Sequence, residues 1–472
     1  MNSINANDCS PFPQDLNNNE KEAIRMLCEY FARSGSGGEE DDEIASLRTS
    51  KFDDDIQTRW WAGRYIGLAY IALPSGTKEI AIRPRFGLPF LFAMIEDLYG
   101  LNNIRESIHD GVENKGNEWF SALLNLLRKR IWVDKCAKAN RYGLPRINEK
   151  RVYQGVSLRG ALDVTHTLIP WLKKKELCSR IYEKTYDDSI CRIVYEAHRI
   201  LSRNVIENRV GIRRRKKRTI TNKVGLSFSI PPAVQETIDT LNCHYKGKSF
   251  DLTESDYQRI CYKSIFLSWK PLVDYSWGVI RNQRLGYKAA FNQTQCVFVD
   301  MAEIWEEFLR KKLGEGFAND GWRVWSIEEC CFHIYKDTFY GRQIIPDIIL
   351  QKEHQFMVFD AKYNRMNGFK TNAKDSDVDR SDLFQIHTYI QFVQQNLGEV
   401  VIGGLLYPIT QDLITQKDQV DTSIYHSNSL FGSGKSNTHF IVDGICCSEE
   451  DDHLSFETKV QEMINRIKKY TN

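Results

Sequence analysis

The chain has 472 residues, which is enough for two or three domains of ordinary size. Its 64 Lys and Arg residues nearly balance its 62 Asp and Glu residues, so the formal net charge is only +2 and any nucleic-acid-binding surface must be a local patch. The 12 cysteines form no CxxC motif, and no run approaches the ~18 apolar residues of a membrane span, so the composition favours a cytoplasmic protein with reduced thiols.

Residues 1–55 are predicted to form a flexible N-terminal extension. A polar, Asn-rich lead without an apolar segment is unlike a secretory signal, and the amphipathic stretch EKEAIRMLCEYFARS predicts a helix after it. The Gly- and acid-rich SGSGGEEDDE that follows is typical of a linker. We interpret the helix as a tethered surface element, with a small protein-docking element as the alternative.

Residues 56–175 are predicted to form a β-rich domain. The stretch RWWAGRYIGLAYIALPSGTKEIAIRPRFG predicts two strands joined by a Pro-Ser-Gly turn, because aromatic and β-branched residues dominate it. Arg83 and Arg85 share one face of the second strand, and Pro84 indicates a sheet edge. These arginines either contact a partner or DNA, or protect an exposed edge by their charge.

The segment RGALD at residues 159–163 combines a flexible glycine with a residue type that caps helices. Gly160 permits a turn, and Asp163 is predicted to cap the turn that follows. An ion pair between Arg159 and Asp163 is the preferred structural interpretation of this segment.

Residues 176–295 are predicted to form a helical linker region, with helices in SIPPAVQETIDTLN and DYQRICYKSIFLSW. The strongest charge run of the chain lies just before the first of them. Six consecutive cations suit contacts to phosphate groups, although such a run is also typical of a solvated loop. The residues predicted to contact DNA here are Arg213, Arg214, Arg215, Lys216, Lys217 and Arg218.

The stretch IIPDIILQKEHQFMVFDAKY at residues 344–363 is predicted to be a β-hairpin, since two apolar runs flank the polar QKEH. Asp347 lies in the first strand, while Asp360 and Lys362 end the second and share a face. Burying two carboxylates and an ammonium group is costly unless they have a use. Mg²⁺, or Mn²⁺ in its place, would use Asp347 and Asp360 as ligands, with Lys362 orienting a water or stabilising charge. The arrangement predicts phosphodiester hydrolysis.

Two amphipathic helices are predicted to flank the hairpin. VFVDMAEIWEEFLRKKL precedes it and offers Glu306, with two neighbouring glutamates, as a further carboxylate. DLFQIHTYIQFV follows it and places Gln385 and Tyr389 four residues apart on one helix face. The polar stretch between the hairpin and this second helix is predicted to be a loop beside the site, with Lys370 and Lys374 reaching the phosphate backbone.

The segment EVVIGGLLYPI predicts a buried strand after the second helix. Further on, NSLFGSGKSNT contains a Gly-Lys-Ser triplet, but Ser429 stands where a P-loop needs its first glycine and a strand follows where a helix must begin. No NTP-binding site is therefore predicted in this chain.

The hairpin residues resemble the PD-(D/E)xK signature of restriction-endonuclease-like nucleases, and the flanks narrow the resemblance to the nuclease subunits of McrC type. Members of that family look like D-M-x-x-L-F-E-x-F before the core and D-x-x-Q-x-x-x-Y after it. This chain has Asp300-Met301, Ile304-Trp305-Glu306, Phe308, Pro346-Asp347, Asp360-Ala361-Lys362-Tyr363, Asp382, Gln385 and Tyr389, with Trp305 where the family usually has Phe. Residues 65–67, 82–85 and 159–163 match the family's Y-x-G, I-x-P-[KR] and R-G-[RA]-[IL]-D elements.

The resemblance implies an α/β (α+β) fold with a β-rich N-terminal domain that docks a partner, a helical middle region and a PD-(D/E)xK core in residues 296–472. It implies Glu306 as an auxiliary ligand or base, and Gln385 and Tyr389 as supports of the site or contacts to the DNA backbone. It further implies double-stranded DNA as the substrate and an McrB-like AAA+ GTPase as the partner, held by residues 59–87.

Two other functions remain open at this point. One is a stand-alone repair or structure-specific nuclease, which would cut DNA without a nucleotide-hydrolysing partner. The other is a non-catalytic activator of an AAA+ motor that keeps the nuclease fold for binding.

Overall fold

The computed structural model describes most of the chain, with gaps between the described ranges. The described residues are 3–32, 43–52, 55–100, 116–203, 206–210, 217–221, 227–288, 296–327, 329–335, 341–363, 378–409, 424–431, 437–448 and 453–471. None of the helices among these residues is long and apolar enough to cross a membrane.

Twenty strands and eleven α-helices are named below in chain order. The strands are β1 (Ser3–Asn7), β2 (Ala45–Phe52), β3 (Asp55–Ala62), β4 (Tyr65–Leu73), β5 (Gly76–Arg83), β6 (Arg146–Gly155), β7 (Ala161–Leu162), β8 (Leu177–Tyr186), β9 (Ile206–Val210), β10 (Lys217–Thr221), β11 (Ser227–Ser229), β12 (Cys296–Asp300), β13 (Arg323–Val324), β14 (Phe332–Ile334), β15 (Arg342–Ile344), β16 (Ile348–Lys352), β17 (Gln355–Ala361), β18 (Glu399–Ile409), β19 (Tyr425–Ser427) and β20 (His439–Cys446). The helices are α1 (Asn18–Ala32), α2 (Gly87–Tyr99), α3 (Gly116–Ala139), α4 (Val164–Lys174), α5 (Asp188–Ser202), α6 (Pro232–Tyr245), α7 (Glu254–Gln258), α8 (Lys270–Lys288), α9 (Met301–Ala318), α10 (Arg380–Asn396) and α11 (His453–Lys468).

The chain forms two compact units. The first unit comprises residues 1–127, 224–227 and 285–472, and the second comprises residues 128–223 and 228–284. The predicted divisions after residues 55, 175 and 295 do not coincide with these units, because the second unit is an insertion between parts of the first. The region 176–295, predicted to be a helical linker, also contains the strands β8, β9 and β10.

A four-stranded sheet in the order β1-β5-β4-β12 lies in the first unit. The predicted hairpin of β4 and β5 is present and antiparallel, but β5 is not an edge strand, because β1 pairs with its other side in parallel. The prediction that residues 1–55 form a flexible extension is also wrong for the described part. Ile4 of β1 and Ile24 and Leu27 of α1 are buried in the core of this sheet.

A six-stranded sheet in the order β13-β16-β17-β18-β20-β19 also lies in the first unit, as do the two-stranded sheets β2-β3 and β14-β15. Strands β16 and β17 form the predicted antiparallel hairpin, and β17, β18 and β20 run parallel. The predicted helices before and after the hairpin are α9 and α10, and the predicted buried strand is β18. Strands β18 and β20 approach closely at Gly404, where a Cβ would overlap the carbonyl oxygen of Ile441.

The second unit contains a three-stranded sheet in the order β6-β8-β7, together with α5 and α6, which pack on each other. Asp163 caps α4 as predicted, accepting a hydrogen bond from the His166 N–H at 3.3 Å. Its ion-pair partner is Arg180 on β8, at 2.6 Å, and not Arg159, whose guanidinium lies over the Tyr153 ring. The prediction paired two residues that are close in sequence, whereas strand β8 brings the more distant Arg180 to Asp163.

Candidate active site

The hairpin of β16 and β17 places Asp347 and Asp360 side by side. Asp347 immediately precedes β16, Asp360 is the penultimate residue of β17, and Ile348 pairs with Phe359 in the antiparallel register. Asp360 is only 2 % exposed, and Oδ2 of Asp347 accepts a hydrogen bond from the Ala361 N–H at 2.8 Å. The two carboxylates that the sequence pattern singled out therefore meet at one end of a buried hairpin.

The pKa of Asp347 is raised well above its ordinary value. Burial is the main cause, followed by the negative charges of Asp360 and Glu306 and by the hydrogen bond with Asp360. A carboxyl group in this setting resists ionisation unless a cation lies nearby. The local electrostatics thus favour the binding of positive charge between the two aspartates.

Lys362 lies directly after β17, and its ammonium group is close to three side-chain oxygen atoms. Nζ lies 3.0 Å from Oδ2 of Asp360 and 3.0 Å from Oδ1 of Asp382, and it donates to Oε1 of Gln385 at 2.7 Å. Burial acts to lower the pKa of Lys362, but the carboxylates of Asp360 and Asp382 outweigh it and raise that pKa. Lys362 therefore stays positively charged.

Helix α10 supplies the residues around the lysine. Gln385, which holds Lys362, also donates from Nε2 to the hydroxyl of Tyr389 at 2.8 Å, so both residues predicted on this helix lie at the site. Burial raises the pKa of Tyr389 to about 12, so its hydroxyl keeps its proton at neutral pH.

Asp382 belongs to the site, although it was not predicted to be a site residue. It is buried, it pairs with Lys362, and it accepts a hydrogen bond from the Tyr407 hydroxyl at 3.3 Å. Asp382 lies three residues before Gln385 and therefore on the same helix face, and this spacing could have predicted that it belongs to the site.

Glu306 on α9 is held by an ion pair with Arg310, and Arg310 also donates from Nε to the backbone oxygen of Asp347 at 3.1 Å. Burial raises the pKa of Glu306, while the charge of Arg310 opposes that rise. Within the described ranges, no group of three or more His, Cys, Asp or Glu side chains is arranged to hold a metal ion. The charge of Glu306 acts on Asp347, and its predicted role as an auxiliary ligand or base stays a prediction.

Asp347 and Asp360 fit a hard divalent cation such as Mg²⁺ or Mn²⁺. Oδ2 of Asp360 is buried beside Lys362 and accepts no hydrogen bond within the described part of the chain. Two carboxylates completed by water and phosphate oxygens are the ligand set that Mg²⁺ prefers. The donor chemistry thus suits a cation bound by two protein ligands.

The residues predicted to contact DNA cannot be placed around this site. Residues 213–216, Lys370 and Lys374 lie outside the described residues. Lys217 and Arg218 begin β10, where they pair with Val210 and Arg209 of β9. Their contact with DNA stays a prediction.

Comparisons with known proteins point to one family. A family model described as "McrBC 5-methylcytosine restriction system component" matches residues 62–408. A solved assembly of Thermococcus gammatolerans McrB AAA+ hexamers with bound McrC is 14 % identical, covers 99 % of this chain and 100 % of that chain, and has a TM-score of 0.41. The McrBC complex of the same organism is 13 % identical, covers 67 % of this chain and 88 % of that chain, and has a TM-score of 0.32. No curated protein matches the chain.

Proposed function

Because this chain belongs to the McrBC 5-methylcytosine restriction system component family, we propose that it is the DNA-cleaving subunit of a two-component, NTP-dependent restriction system. The observation that carries the proposal is the group of Asp347, Asp360 and Lys362 at the end of the β16–β17 hairpin, in which Asp360 is buried and forms an ion pair with Lys362. Structural ion pairs rarely place two close carboxylates where burial and mutual repulsion both disfavour their charge.

In the proposed reaction, Asp347 and Asp360 hold Mg²⁺, or Mn²⁺ in its place. A bound cation of this type polarises the phosphodiester and lowers the pKa of an attacking water. Lys362, kept protonated and fixed by Asp360, Asp382 and Gln385, orients that water or stabilises the negative charge that develops on the phosphate. Tyr389 supports Gln385 by accepting a hydrogen bond from its Nε2, while the Oε1 atom of the same amide binds Lys362.

The proposed partner is an AAA+ GTPase of McrB type. The sequence carries no P-loop, so the nucleotide must be hydrolysed by another chain. The prediction that Arg83 and Arg85 contact this partner needs revision for Arg85, whose Nε and Nη1 atoms are buried in the first unit.

We propose the exposed face of α4, in the second unit, as a docking surface for this partner, while docking by residues 59–87 stays a prediction. Helix α4 has no buried residue, yet it carries five large apolar side chains, and Leu168 and Leu172 are 66 % and 70 % exposed. An apolar helix left uncovered in a member of a multicomponent system marks a protein-binding surface.

The proposed function is tested by DNA cleavage with the purified chain. We expect cutting of modified double-stranded DNA only when Mg²⁺, the cognate AAA+ subunit and its nucleotide are all present. Cleavage that ignores nucleotide and partner would instead identify a stand-alone nuclease. A chain that never cleaves, yet stimulates the partner's nucleotide hydrolysis, would be an activator and would contradict the proposal.

The docking surface is tested separately by Leu168→Asp. This change places a charge on the exposed apolar face of α4, and we expect the affinity for the AAA+ subunit to fall at least about tenfold, as for the loss of an interface hot spot. Leu267→Asp is the matched control, because Leu267 is an exposed leucine of the same unit outside α4. Sedimentation analysis of the mixed subunits measures both affinities, and equal binding by the two variants would remove α4 from the interface.

A further inference from the structure

Asp8, Arg85 and Tyr363, here called the anchor cluster, form a polar group inside the first unit. The Asp8 carboxylate is fully buried, and its Oδ1 accepts the Arg85 backbone N–H at 2.6 Å. Its Oδ2 accepts the Tyr363 hydroxyl at 2.6 Å. The guanidinium of Arg85 lies 4.8 Å from the centre of the Tyr363 ring and donates from Nη2 to the Tyr363 backbone oxygen.

The anchor cluster joins three distant parts of the sequence. Strand β1 ends at Asn7, so Asp8 directly follows it, and Arg85 comes two residues after the end of β5. Both residues therefore lie at the same end of the parallel β1–β5 pair. The Asp8 N–H donates to the Arg83 carbonyl at 2.9 Å, which ties the two strand ends together. Tyr363 comes from the other sheet of the first unit and directly follows Lys362.

Lys362 needs such support because the strand has already ended. Strand β17 stops at Ala361, and the backbone of Lys362 keeps one bond to the neighbouring strand, from its N–H to the Leu406 carbonyl at 2.9 Å. At the next residue, Tyr363, the anchor cluster holds both the backbone oxygen and the side-chain hydroxyl. The peptide that carries the lysine is thus fixed on one side by β18 and on the other by Arg85 and Asp8.

A cluster of apolar side chains in place of the anchor cluster would hold the four-stranded and six-stranded sheets together at a lower cost in free energy. Burying a carboxylate and a guanidinium demands complete hydrogen bonding, and apolar replacements of such groups are often neutral or stabilising. A directional network, by contrast, fixes the position of the groups it binds. That property is useful where an adjacent side chain must stay within about 0.5 Å of its working geometry.

On the basis of the proposed nuclease function, we infer that Asp8 and Arg85 are positioning residues for Lys362. They act through Tyr363, whose backbone and hydroxyl they bind, and they set the distance of the lysine ammonium from Asp360 and Asp382. The N-terminal sheet is therefore a working part of the nuclease site, and the first residues of the chain are needed for cleavage although they do not touch the reacting atoms.

The test is Tyr363→Phe, which removes the hydrogen bond to Asp8 and keeps the ring beneath Arg85. Tyr245→Phe is the matched control, because Tyr245 is an equally buried tyrosine whose hydroxyl donates to Asp188 at 2.9 Å in the second unit. Asp8→Asn is a second variant, to be used if Tyr363→Phe does not fold. Folding of each variant is checked by circular dichroism.

The first measurement does not depend on cleavage. Lys362 is acetylated with an N-hydroxysuccinimide ester, and the rate of modification is followed by peptide mass spectrometry. In the wild type the ammonium group is protected by its two carboxylates, and its side chain is 13 % exposed. We expect modification of Lys362 to accelerate about tenfold in Tyr363→Phe and to stay at the wild-type rate in Tyr245→Phe.

The second measurement is single-turnover DNA cleavage at saturating and subsaturating DNA. The rate constant is expected to fall about tenfold in Tyr363→Phe while the half-saturating DNA concentration stays unchanged, because the lysine acts on the reacting phosphate. If Lys362 is modified at the wild-type rate in folded Tyr363→Phe, or in Asp8→Asn where that variant replaces it, the inference is wrong. If modification accelerates but the wild type never cleaves DNA, the positioning contact stands and the nuclease proposal fails.

Discussion

Asp360→Asn is expected to lower the rate of DNA cleavage by at least about 1000-fold. The change removes one of the two proposed carboxylate ligands and also one of the two counter-charges that lie 3.0 Å from the Lys362 ammonium group. Stabilisation of transition-state charge by a bound cation is worth several kcal/mol, and each 1.36 kcal/mol corresponds to about a tenfold rate change. Asparagine has nearly the volume of aspartate, so the buried end of β17 keeps its packing. Single-turnover cleavage with Mg²⁺, partner and nucleotide measures the loss.

The matched control is Asp443→Asn on β20. Asp443 lies in the same sheet as Asp360, is also buried, and pairs with Arg466 of α11 at 2.9 Å, but it is not part of the candidate site. We expect Asp443→Asn to lower the thermal stability and to cleave DNA at the wild-type rate per folded molecule. Equal cleavage by Asp360→Asn and the wild type would place the metal site elsewhere.

The sequence was sufficient to predict the β16–β17 hairpin and the helices on either side of it. Alternation of apolar residues along a strand and their 3.6-residue period along a helix are local signals, and here the tertiary contacts agree with them. Asp347, Asp360 and Lys362 stood out for the same reason, since charged residues that end an apolar hairpin break the expected pattern. Gln385 and Tyr389 were predicted to share one helix face from their spacing, and their role at the site was implied by the resemblance to the McrC family.

The N-terminal sheet was only half predictable, because two of its four strands come from distant parts of the chain. Strands β4 and β5 are joined by a turn and carry a hairpin signature. Strand β1 pairs with β5, and β12 pairs with β4, across long sequence separations. Such pairings leave no periodic signal, so SINAN was interpreted as part of a polar lead and VFVD as the start of a helix.

Arg85 shows how a buried ionic contact escapes sequence analysis. Its predicted place on the strand face shared with Arg83, beside Pro84, favoured an exposed edge. An arginine near a strand end can also be buried and bind an interior carboxylate when another strand covers the sheet edge, as β1 does here. Its partners Asp8 and Tyr363 are 77 and 278 residues away, so the anchor cluster is visible only in three dimensions.

Asp347→Asn is expected to stabilise the metal-free protein while abolishing cleavage. The Asp347 carboxyl is buried next to the negative charges of Asp360 and Glu306, so replacing it by a neutral amide removes repulsion. The Asn side-chain oxygen still accepts the hydrogen bond from the Ala361 N–H. Relief of about 1 kcal/mol corresponds to a rise in Tm of roughly 2 °C. Thermal unfolding by circular dichroism in EDTA measures it, and Mg²⁺ is expected to raise the Tm of the wild type but not that of the variant.

The stability difference should depend on pH with a defined sign. Because the pKa of Asp347 in the folded protein lies above its ordinary value of 3.8, its contribution to stability is present in acid and is lost as the pH rises through the folded-state pKa. The Tm advantage of Asp347→Asn should therefore be smallest in acid and should grow as the pH rises through the folded-state pKa of Asp347. Asp379→Asn is the control for which the opposite pH dependence is expected. Hydrogen bonds from the Ser381 N–H and hydroxyl lower the pKa of Asp379, so the stability that its carboxylate contributes is lost as the pH falls. A Tm advantage of Asp347→Asn that is constant from acid to neutral pH would show that the change acts through packing. The two carboxylates would then not repel each other, and a cation between them would have no repulsion to relieve.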